Sequence, residues 1–325
     1  MKRLKTIALV MGFSVLAACA TGSRDPVSPP VAETDADFGV LLMAHGGIDS
    51  WEREVADTLA PLQQEFPMEI AWGMADAASL QRSVEALEAR GVERIGVVRL
   101  FVSGESWYER TGQILGIMPG APARSEVPAD EHAGHHGMSM EFWQLDTDAV
   151  FAMSRQGLSE APEMGEVLVK RVRELSHEPG HEDLLILAHG PGDDAENQRW
   201  LANIDARADA VREAVPLRRV EVMSLREDWP DKREAAVREV RAFVERATDE
   251  DGVAIVIPYR VQGFGPYEEV LEGLQYRSDG RGLVPHPHVT EWVRRQALEL
   301  RDGPFSDPAD TPPAATDAAP ATHIH

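Results

Sequence analysis

The sequence predicts an α/β protein built from two similar halves, each a parallel sheet covered by helices, with a cleft between the halves. Apolar segments of strand length alternate with amphipathic helical stretches, and this order repeats once along the chain. Strands that are apolar throughout and separated by helices indicate a parallel sheet buried on both faces. The tripeptide Ala-His-Gly ends the first apolar segment of each half, at 44–46 and at 188–190. We therefore interpret the chain as an internal duplication.

Each half is predicted to contain three strands and two intervening helices, followed by a closing helical stretch. The first half, residues 38–176, has predicted strands at 38–44, 68–73 and 95–102 and helices from about 50 to 65 and 79 to 90. The second half, residues 181–302, has predicted strands at 183–188, 219–225 and 253–261 and helices from about 195 to 214 and 231 to 247. The closing stretches, 157–175 and 282–300, align without a gap, which supports the duplication.

The first half carries a His-rich insertion at about 118–149. The segment 104–157 is much longer than its counterpart 263–282, and it contains His132, His135 and His136. Such a cluster suits copper, nickel or zinc, but no helical period surrounds it. We interpret it as a flexible loop with weak metal affinity, and keep open that it reaches over the cleft as a metal ligand.

The chain begins with a predicted export signal. Residues 1–19 combine a basic start, an apolar stretch and small residues before Cys19, the only cysteine, as in the lipobox of bacterial lipoproteins. We predict lipid attachment at Cys19 and a membrane-anchored protein that faces the periplasm, with the outer membrane favoured. The alternative is an ordinary secretory signal with a chance cysteine. Residues 20–37 read as a flexible tether and residues 303–325 as a disordered tail, because both are rich in Pro, Ala, Thr and Asp.

The charge of the chain excludes one class of partner. Acidic residues number 55 against 32 basic ones, which gives a formal net charge of -23. Such a surface repels phosphate backbones and attracts cations, so we expect no nucleic-acid partner.

The two Ala-His-Gly histidines, His45 and His189, are the main candidate site residues. Each follows the first predicted strand of its half, and ligands of open parallel sheets bind beyond the carboxyl ends of the strands. A neutral imidazole there can bind a transition metal or move protons. The alternative is an ordinary hydrogen-bonded histidine, since duplication alone would copy it.

Acidic residues shortly after each histidine have a structural interpretation. Asp49 with Glu52, and Asp193 with Glu196, have the spacing of a capping box that opens the next helix. We therefore assign these four residues to helix capping and not to chemistry.

The turn after the third strand supplies a tyrosine and a carboxylate in both halves. Tyr108 and Glu109 in the first half match Tyr267 and Glu268 in the second. At the same sheet edge as the histidines, each glutamate can share a cleft with an imidazole. The alternative is that the glutamates only stabilise a helix N-terminus.

A histidine pair lies at the entry to the last helix. His286 and His288, in the sequence Pro-His-Pro-His, are interpreted as surface residues.

These segments together resemble the CbiX/SirB type of sirohydrochlorin chelatase, a class II chelatase. The resemblance rests on "LLMAHGG", "LILAHGPGDDAEN", the glycine-containing turns after the third strands and the Pro-containing helix entry closing each half, and it covers nearly all of residues 37–302. Proteins of that family have two ferrochelatase-like α/β halves and insert cobalt or iron into a tetrapyrrole without nucleotide hydrolysis. It implies a role in siroheme or cobalamin chemistry.

The resemblance assigns roles to individual residues and also shows a departure. It places the family's metal-binding histidine at His189 and His45 and its asparagine at Asn197, with Arg53 at the asparagine position of the first half. The family's second metal-binding histidine is replaced by Ser106 and Gly265, so neither half has it.

The resemblance implies a protein that binds a divalent metal ion, a tetrapyrrole or both. We expect His189 and His45 as metal ligands and proton acceptors, Glu268 and Glu109 as charge-stabilising carboxylates, and Tyr267, Tyr108 and Asn197 against the ligand. The metal is expected to be cobalt, iron, nickel or zinc. Three functions stay open: chelatase, non-catalytic periplasmic carrier of metal or tetrapyrrole, and a structural relic that binds neither.

Overall fold

The computed structural model describes residues 37–124, 140–311 and 313–314. Cys19, the export signal, the tether and the three insertion histidines lie outside these residues, so the predictions about them stay predictions. No helix within the described ranges is both long and apolar enough to cross a membrane.

The first half forms a four-stranded parallel sheet in the order β2-β1-β3-β4. The three predicted strands and two helices are present, and a short fourth strand follows the insertion. The elements are β1 (Phe38–Ala44), α1 (Asp49–Leu59), β2 (Met68–Trp72), α2 (Ala77–Glu88), β3 (Arg94–Leu100), α3 (Tyr108–Ile114), β4 (Val150–Met153) and α4 (Glu163–Leu175).

The second half repeats this arrangement, with parallel strands in the order β6-β5-β7-β8. Its elements are β5 (Glu182–Ala188), α5 (Asp194–Ala214), β6 (Arg219–Ser224), α6 (Pro230–Asp249), β7 (Val253–Tyr259), α7 (Tyr267–Val270), β8 (Tyr276–Arg277) and α8 (Pro287–Arg301). The predicted α/β class with two similar sheets is therefore confirmed.

The strand register brings corresponding residues to the same edge of each sheet. Ala44 pairs with Trp72 and Leu100, and Ala188 pairs with Ser224 and Tyr259. The residues that follow these positions therefore emerge together at the carboxyl edge, where parallel sheets bind ligands.

The closing helices are exchanged between the halves. Helix α8 packs against β3 and β4 of the first sheet, while α4 packs against β7 of the second. One apolar cluster accordingly includes alternate residues of both central strands, such as Leu42 and Ile186, together with Val167 of α4 and Trp292 of α8. Because this core is shared, neither half is expected to fold alone with its own closing helix.

The predicted capping box is present in the second half but not in the first. Helix α1 begins at Asp49 itself, its N-cap is Ile48 without a side-chain cap, and Glu52 instead accepts a hydrogen bond from the Gly47 N–H at 3.2 Å. The capping prediction is confirmed at α5, where Asp193 accepts from the Glu196 N–H at 2.8 Å. An acid four residues after the histidine caps the helix only where the turn places it before the first helical residue.

The prediction that the Pro-His-Pro-His histidines lie on the surface is wrong for His286. His286 is only 5% exposed, and its Nδ1 accepts from the backbone N–H of His288 at the start of α8. Burial is the main cause that lowers the pKa of His286 to about 4, with Lys170 and His288 adding to it. This imidazole is a neutral helix cap.

Candidate metal centre

Both Ala-His-Gly histidines have the same local conformation. Nδ1 of His45 lies 2.7 Å from the carbonyl oxygen of Gly46, and Nδ1 of His189 lies 2.9 Å from that of Gly190. A carbonyl oxygen only accepts hydrogen bonds, so Nδ1 must carry the proton in both residues. This tautomer leaves Nε2 as the nitrogen available to a metal ion or a second proton, as in many metal-binding histidines.

In the second half, Nε2 of His189 faces carboxylates. It lies 2.9 Å from Oδ2 of Asp228 and 4.0 Å from Oε2 of Glu227. An ionised carboxylate is also only an acceptor, so the imidazole has acceptors on both sides. A cation is therefore needed at Nε2, and either a proton or a metal ion can supply it.

The spacing of these groups fits the donors of a metal ion. Imidazole nitrogen and carboxylate oxygen bind transition metals at about 2.0 to 2.2 Å, so two such ligands on one ion lie roughly 3.0 to 3.4 Å apart. The 2.9 Å between His189 and Asp228 needs only a small adjustment to reach that range. Even so, no three His, Cys, Asp or Glu side chains in the described part of the chain are grouped ready to hold an ion. The geometry therefore favours an accessible site with two donors and a third nearby.

Exposure differs among the three groups. The side chains of His189 and Asp228 are 31% and 69% exposed, whereas that of Glu227 is 9% exposed. An ion can therefore approach His189 and Asp228 from solvent, with Glu227 behind them.

The loops that carry His189 and the carboxylates are bonded to each other. Arg226, which has a left-handed backbone conformation, donates to the carbonyl oxygens of Pro191 (2.5 Å) and Gly192 (2.6 Å). Lys232 also donates to Gly192 O, at 2.7 Å, and the Glu227 N–H donates to His189 O at 3.3 Å. These bonds fix the loop after β5 to the loop after β6, which places Asp228 opposite His189.

A cationic side chain lies behind Glu227. Arg260, the first residue after β7, donates through Nη1 to Oε1 of Glu227 at 2.5 Å, and its guanidinium lies 5.7 Å from the ring centre of Tyr267. Tyr267 is fully buried, and desolvation, followed by the charge of Glu227, raises the pKa of its hydroxyl well above the ordinary value. Its ring supports Arg260, and its hydroxyl is a neutral group at every physiological pH.

The other predicted residues of the second half have partners other than His189. Glu268 is exposed on α7, where its charge acts on Tyr276, and the carboxylates that reach His189 are Asp228 and Glu227 instead. Asn197 is buried, and its Oδ1 accepts from the hydroxyl of Ser224 at 2.7 Å, so it ties α5 to the end of β6.

The first half lacks a corresponding carboxylate pair. No described acid lies within ion-pair distance of His45, whose ring is 5.8 Å from that of Trp51. Asp76 stands at the same count after β2 as Asp228 after β6, but it caps α2 through the Ser79 N–H and accepts from the Glu141 N–H, both at 2.8 Å. Its two oxygens are thus held within the protein.

Glu141 belongs to the later part of the insertion, which is packed on the first half. Gln81 of α2 exchanges two hydrogen bonds with the backbone of Asp146, and Trp143 and Leu145 are buried in the core beside α2. Residues 140–149 of the insertion are therefore part of the packed structure of the first half.

The turn after β3 is also occupied internally. Tyr108 lies against the guanidinium groups of Arg99 (4.7 Å) and Arg155 (5.1 Å), and Glu109 is exposed with Gln113 at 3.4 Å. Arg99 is 1% exposed and donates to the carbonyl oxygens of Ser154 and nearby turn residues. Burial lowers the pKa of Arg99 to about 10, so it remains a fixed cation under this turn.

The candidate residues that sequence reasoning missed are Asp228, Glu227 and Arg260. Each follows the end of a strand at the carboxyl edge, in the sequences "LREDWP" and "PYRVQG". The rule that ligands bind at this edge applies to every strand, and its application to the turn after the second strand would have identified the two acids.

Comparison with known proteins shows which solved structures have a similar fold. No family model matches the sequence, and no curated protein matches it significantly. Among solved structures, SirB from Bacillus subtilis with Fe3+ aligns with a TM-score of 0.55 and 14% identity over 81% of this chain and 95% of that one. The sirohydrochlorin chelatase SirB from Bacillus subtilis subspecies spizizenii in complex with cobalt aligns with a TM-score of 0.52 and 13% identity, over 81% and 94%.

A third structure is a larger protein. DR2241 from Deinococcus radiodurans, described as multi-domain with structural similarity to chelatases and two additional novel domains, aligns with a TM-score of 0.50 and 21% identity, over 82% of this chain and 56% of that one. The chain therefore has a fold similar to that of chelatases.

Proposed function

We propose that this protein binds a divalent metal ion at His189 with Asp228 and Glu227 and exchanges it with a tetrapyrrole, as a chelatase-like protein. The observation that carries the proposal is the imidazole of His189, which has a carbonyl oxygen at Nδ1 and a carboxylate at Nε2. A cation at Nε2 satisfies both acceptors, and cobalt, iron, nickel and zinc all accept imidazole and carboxylate ligands. The chelatase-like fold supports the tetrapyrrole as the second ligand.

Metal insertion requires proton acceptors as well as a metal site. A divalent ion enters a tetrapyrrole as two pyrrole N–H protons leave, so the metal is a substrate of the reaction. Asp228 and Glu227 lie beside His189 and supply acceptors where the ion is released. The chain's own residues thus bind the ion, orient it and take up protons.

Isothermal titration of the purified protein with Co2+ tests the metal site. His189→Ala is expected to weaken binding by about 100-fold, because loss of even an outer-shell partner of a metal ligand costs 10- to 100-fold. His45→Ala is the matched control, since it removes the same side chain from the half without nearby carboxylates, and we expect a change of less than about threefold. Equal binding by His189→Ala and wild type would overturn the proposal.

A second function, a carrier of metal or tetrapyrrole without turnover, is favoured by one observation. The described residues hold no preformed group of three ligating side chains, which suits reversible capture. An absorbance assay of metal insertion into sirohydrochlorin distinguishes the two functions. Product formation that depends on His189 supports the chelatase, whereas binding of both ligands without product supports the carrier.

We further propose that Cys19 is lipid-attached and anchors the protein to a membrane facing the periplasm. The proposal is supported by the basic and apolar start of the chain and by the position of its only cysteine. Cys19→Ser is expected to release the protein from the membrane fraction. Unchanged retention in that fraction would contradict lipid attachment.

A further inference from the structure

Arg260 and Glu227 form an ion pair beside the proposed metal site. Oε1 of Glu227 lies 2.5 Å from Nη1 of Arg260, and both side chains are largely buried, at 9% and 20% exposed. Nε of Arg260 is buried and has no hydrogen-bond partner among the described residues, so Glu227 holds this guanidinium through Nη1. In such a partly desolvated position the attraction between the two charges is strong.

The same carboxylate faces the proposed metal ligand with its other oxygen. Oε2 of Glu227 lies 4.0 Å from Nε2 of His189, while Oε1 is occupied by Arg260. An ion at His189 must therefore share Glu227 with a fixed positive charge. That charge repels the ion and also draws electron density from the carboxylate, and both effects oppose metal binding.

The backbone around Arg260 leaves room for its guanidinium. Gly265 has a φ of +60°, and a Cβ there would lie 2.8 Å from Cζ and Nη1 of Arg260. A side chain at residue 265 would thus displace the guanidinium from Glu227. On its other side, the buried ring of Tyr267 supports the group.

In the described part of the first half, no arginine–glutamate pair lies beside the histidine. Phe101 is the first residue after β3, as Arg260 is after β7, and it is buried in an apolar cluster. The first half also holds a buried cation, Arg99, against the tyrosine of this turn, but Arg99 donates to carbonyl oxygens. Among the described residues, only the second half joins such a cation to a carboxylate beside its histidine.

We propose that Arg260 is a positioning residue that holds Glu227 toward His189 and at the same time limits the affinity of the site for a divalent ion, so that the ion can be released. This inference rests on the proposed metal site at His189. Arg260 acts through Glu227 and does not contact the ion. Its removal is therefore expected to strengthen metal binding, the opposite of what loss of a purely structural residue does.

The test measures Co2+ affinity and dissociation for Arg260→Met in the full chain. Methionine keeps much of the volume without the charge, and we expect binding at least about tenfold tighter at low salt and correspondingly slower transfer to an external chelator. Arg260→Lys keeps the charge, so its affinity for Co2+ should stay close to the lower affinity of wild type. Arg246→Met is the matched control, because Arg246 pairs with Glu221 in the same half, and Glu221 lies within β6 and not in the turn that follows its carboxyl end.

Two further variants make the outcome decisive. In Arg260→Met combined with Glu227→Gln, the gain should disappear, because it depends on the freed carboxylate. If Arg260→Met does not fold, Gly265→Ala provides the same test by pushing the guanidinium away from Glu227. Unchanged or weaker binding in a folded Arg260→Met or Gly265→Ala protein overturns the inference.

Failure of the inference can be told apart from failure of the proposed function. If His189→Ala loses binding but Arg260→Met gains none, the site stands and the role of Arg260 is wrong. If wild type and Arg260→Met both fail to bind Co2+, both proposals are overturned. Binding only after removal of Arg260 would overturn the proposed function, because the wild-type protein would then not bind the ion that Arg260 is proposed to release.

Discussion

The two halves share a backbone plan but not the surroundings of their histidines. His45 and His189 both follow the central strand of a four-stranded parallel sheet, and both orient Nδ1 toward the next carbonyl oxygen. Only His189 faces a carboxylate at Nε2, because Asp228 points outward while Asp76 points into the protein. A duplicated fold thus preserves the position of a ligand more readily than its partners.

The difference originates in the loop after the second strand. In the first half, residues 140–149 pack along α2 and Glu141 bonds to Asp76. In the second half, Arg226 and Lys232 bond to the loop that follows His189, and the two acids between them, Glu227 and Asp228, face that histidine. One loop is therefore used for packing and its counterpart for a candidate metal site.

The largest effect is expected from the packed part of the insertion. Trp143 is 7% exposed in the core of the first half, so Trp143→Ala should lower the free energy of unfolding by about 3 to 5 kcal/mol. Replacing residues 125–139 with a short Gly-Ser linker should change it by less than about 1 kcal/mol, because the second half closes the corresponding connection, 263–282, without such a segment. Chemical denaturation measures both. Equal destabilisation by the two changes would mean that the whole insertion contributes to stability. Loss of metal binding in the linker variant would place the metal site at the histidines of the replaced segment.

The carboxylates at the amino ends of the two central strands, Glu182 and Asp37, are expected to contribute differently to stability at low pH. Burial opposes ionisation of Glu182, but hydrogen bonds from His177 N–H, Ser176 and Arg277 outweigh it and lower its pKa to about 2. A lowered pKa contributes stability above the unfolded value of about 4.5, and this stability is lost as the pH falls toward 2.

Glu182→Gln should therefore cost on the order of 2 to 3 kcal/mol at neutral pH and flatten the pH dependence of stability between about 4.5 and 2. Asp37, in front of the first half's central strand, is partly exposed and 3.6 Å from Arg94, so Asp37→Asn should cost less than about 1 kcal/mol. The measurement is the free energy of unfolding of wild type and both variants across this pH range. A pH dependence unchanged in Glu182→Gln would contradict the assignment.

Asp76 and Asp228 occupy corresponding positions, but their replacement should have opposite effects: one on stability and the other on metal binding. Asp76→Ala removes a helix cap and a bond to Glu141, so we expect a loss of about 1 to 2 kcal/mol with unchanged Co2+ affinity. Asp228→Asn should change stability by less than about 0.5 kcal/mol but weaken Co2+ binding by roughly tenfold or more. Denaturation and titration of the same samples test this. Loss of Co2+ affinity in Asp76→Ala would show that the halves are not specialised in this way.

The smallest effect concerns the loops that follow the histidines. A Cβ at Gly192 would collide with the indole of Trp229, whereas the corresponding Ile48 is 73% exposed. Gly192→Ala should therefore cost about 1 kcal/mol and weaken metal binding by displacing the loop that carries His189. Ile48→Ala should stay within about 0.5 kcal/mol of wild type. Comparable effects of the two substitutions would mean that the second loop is as open as the first.

The sequence by itself determined the six longer strands, the duplication and the positions of the two histidines at the strand ends. Strand β1 begins and ends where it was predicted. A strand buried on both faces of a parallel sheet is apolar throughout, so the polar residues that follow the apolar run mark its end. The short strands β4 and β8 were not predicted, since β8 has only two residues and neither has a pattern of its own.

Tertiary structure alone decided the exchange of the closing helices and the surroundings of the histidines. Both closing helices have an apolar face, and a face does not specify which sheet it packs on. Asp76 and Asp228 are the same residue at the same count after a strand, yet one caps a helix and the other reaches a histidine. A carboxylate takes the nearest donors, and which donors are nearest depends on segments distant in sequence, here Glu141 in one half and His189 in the other.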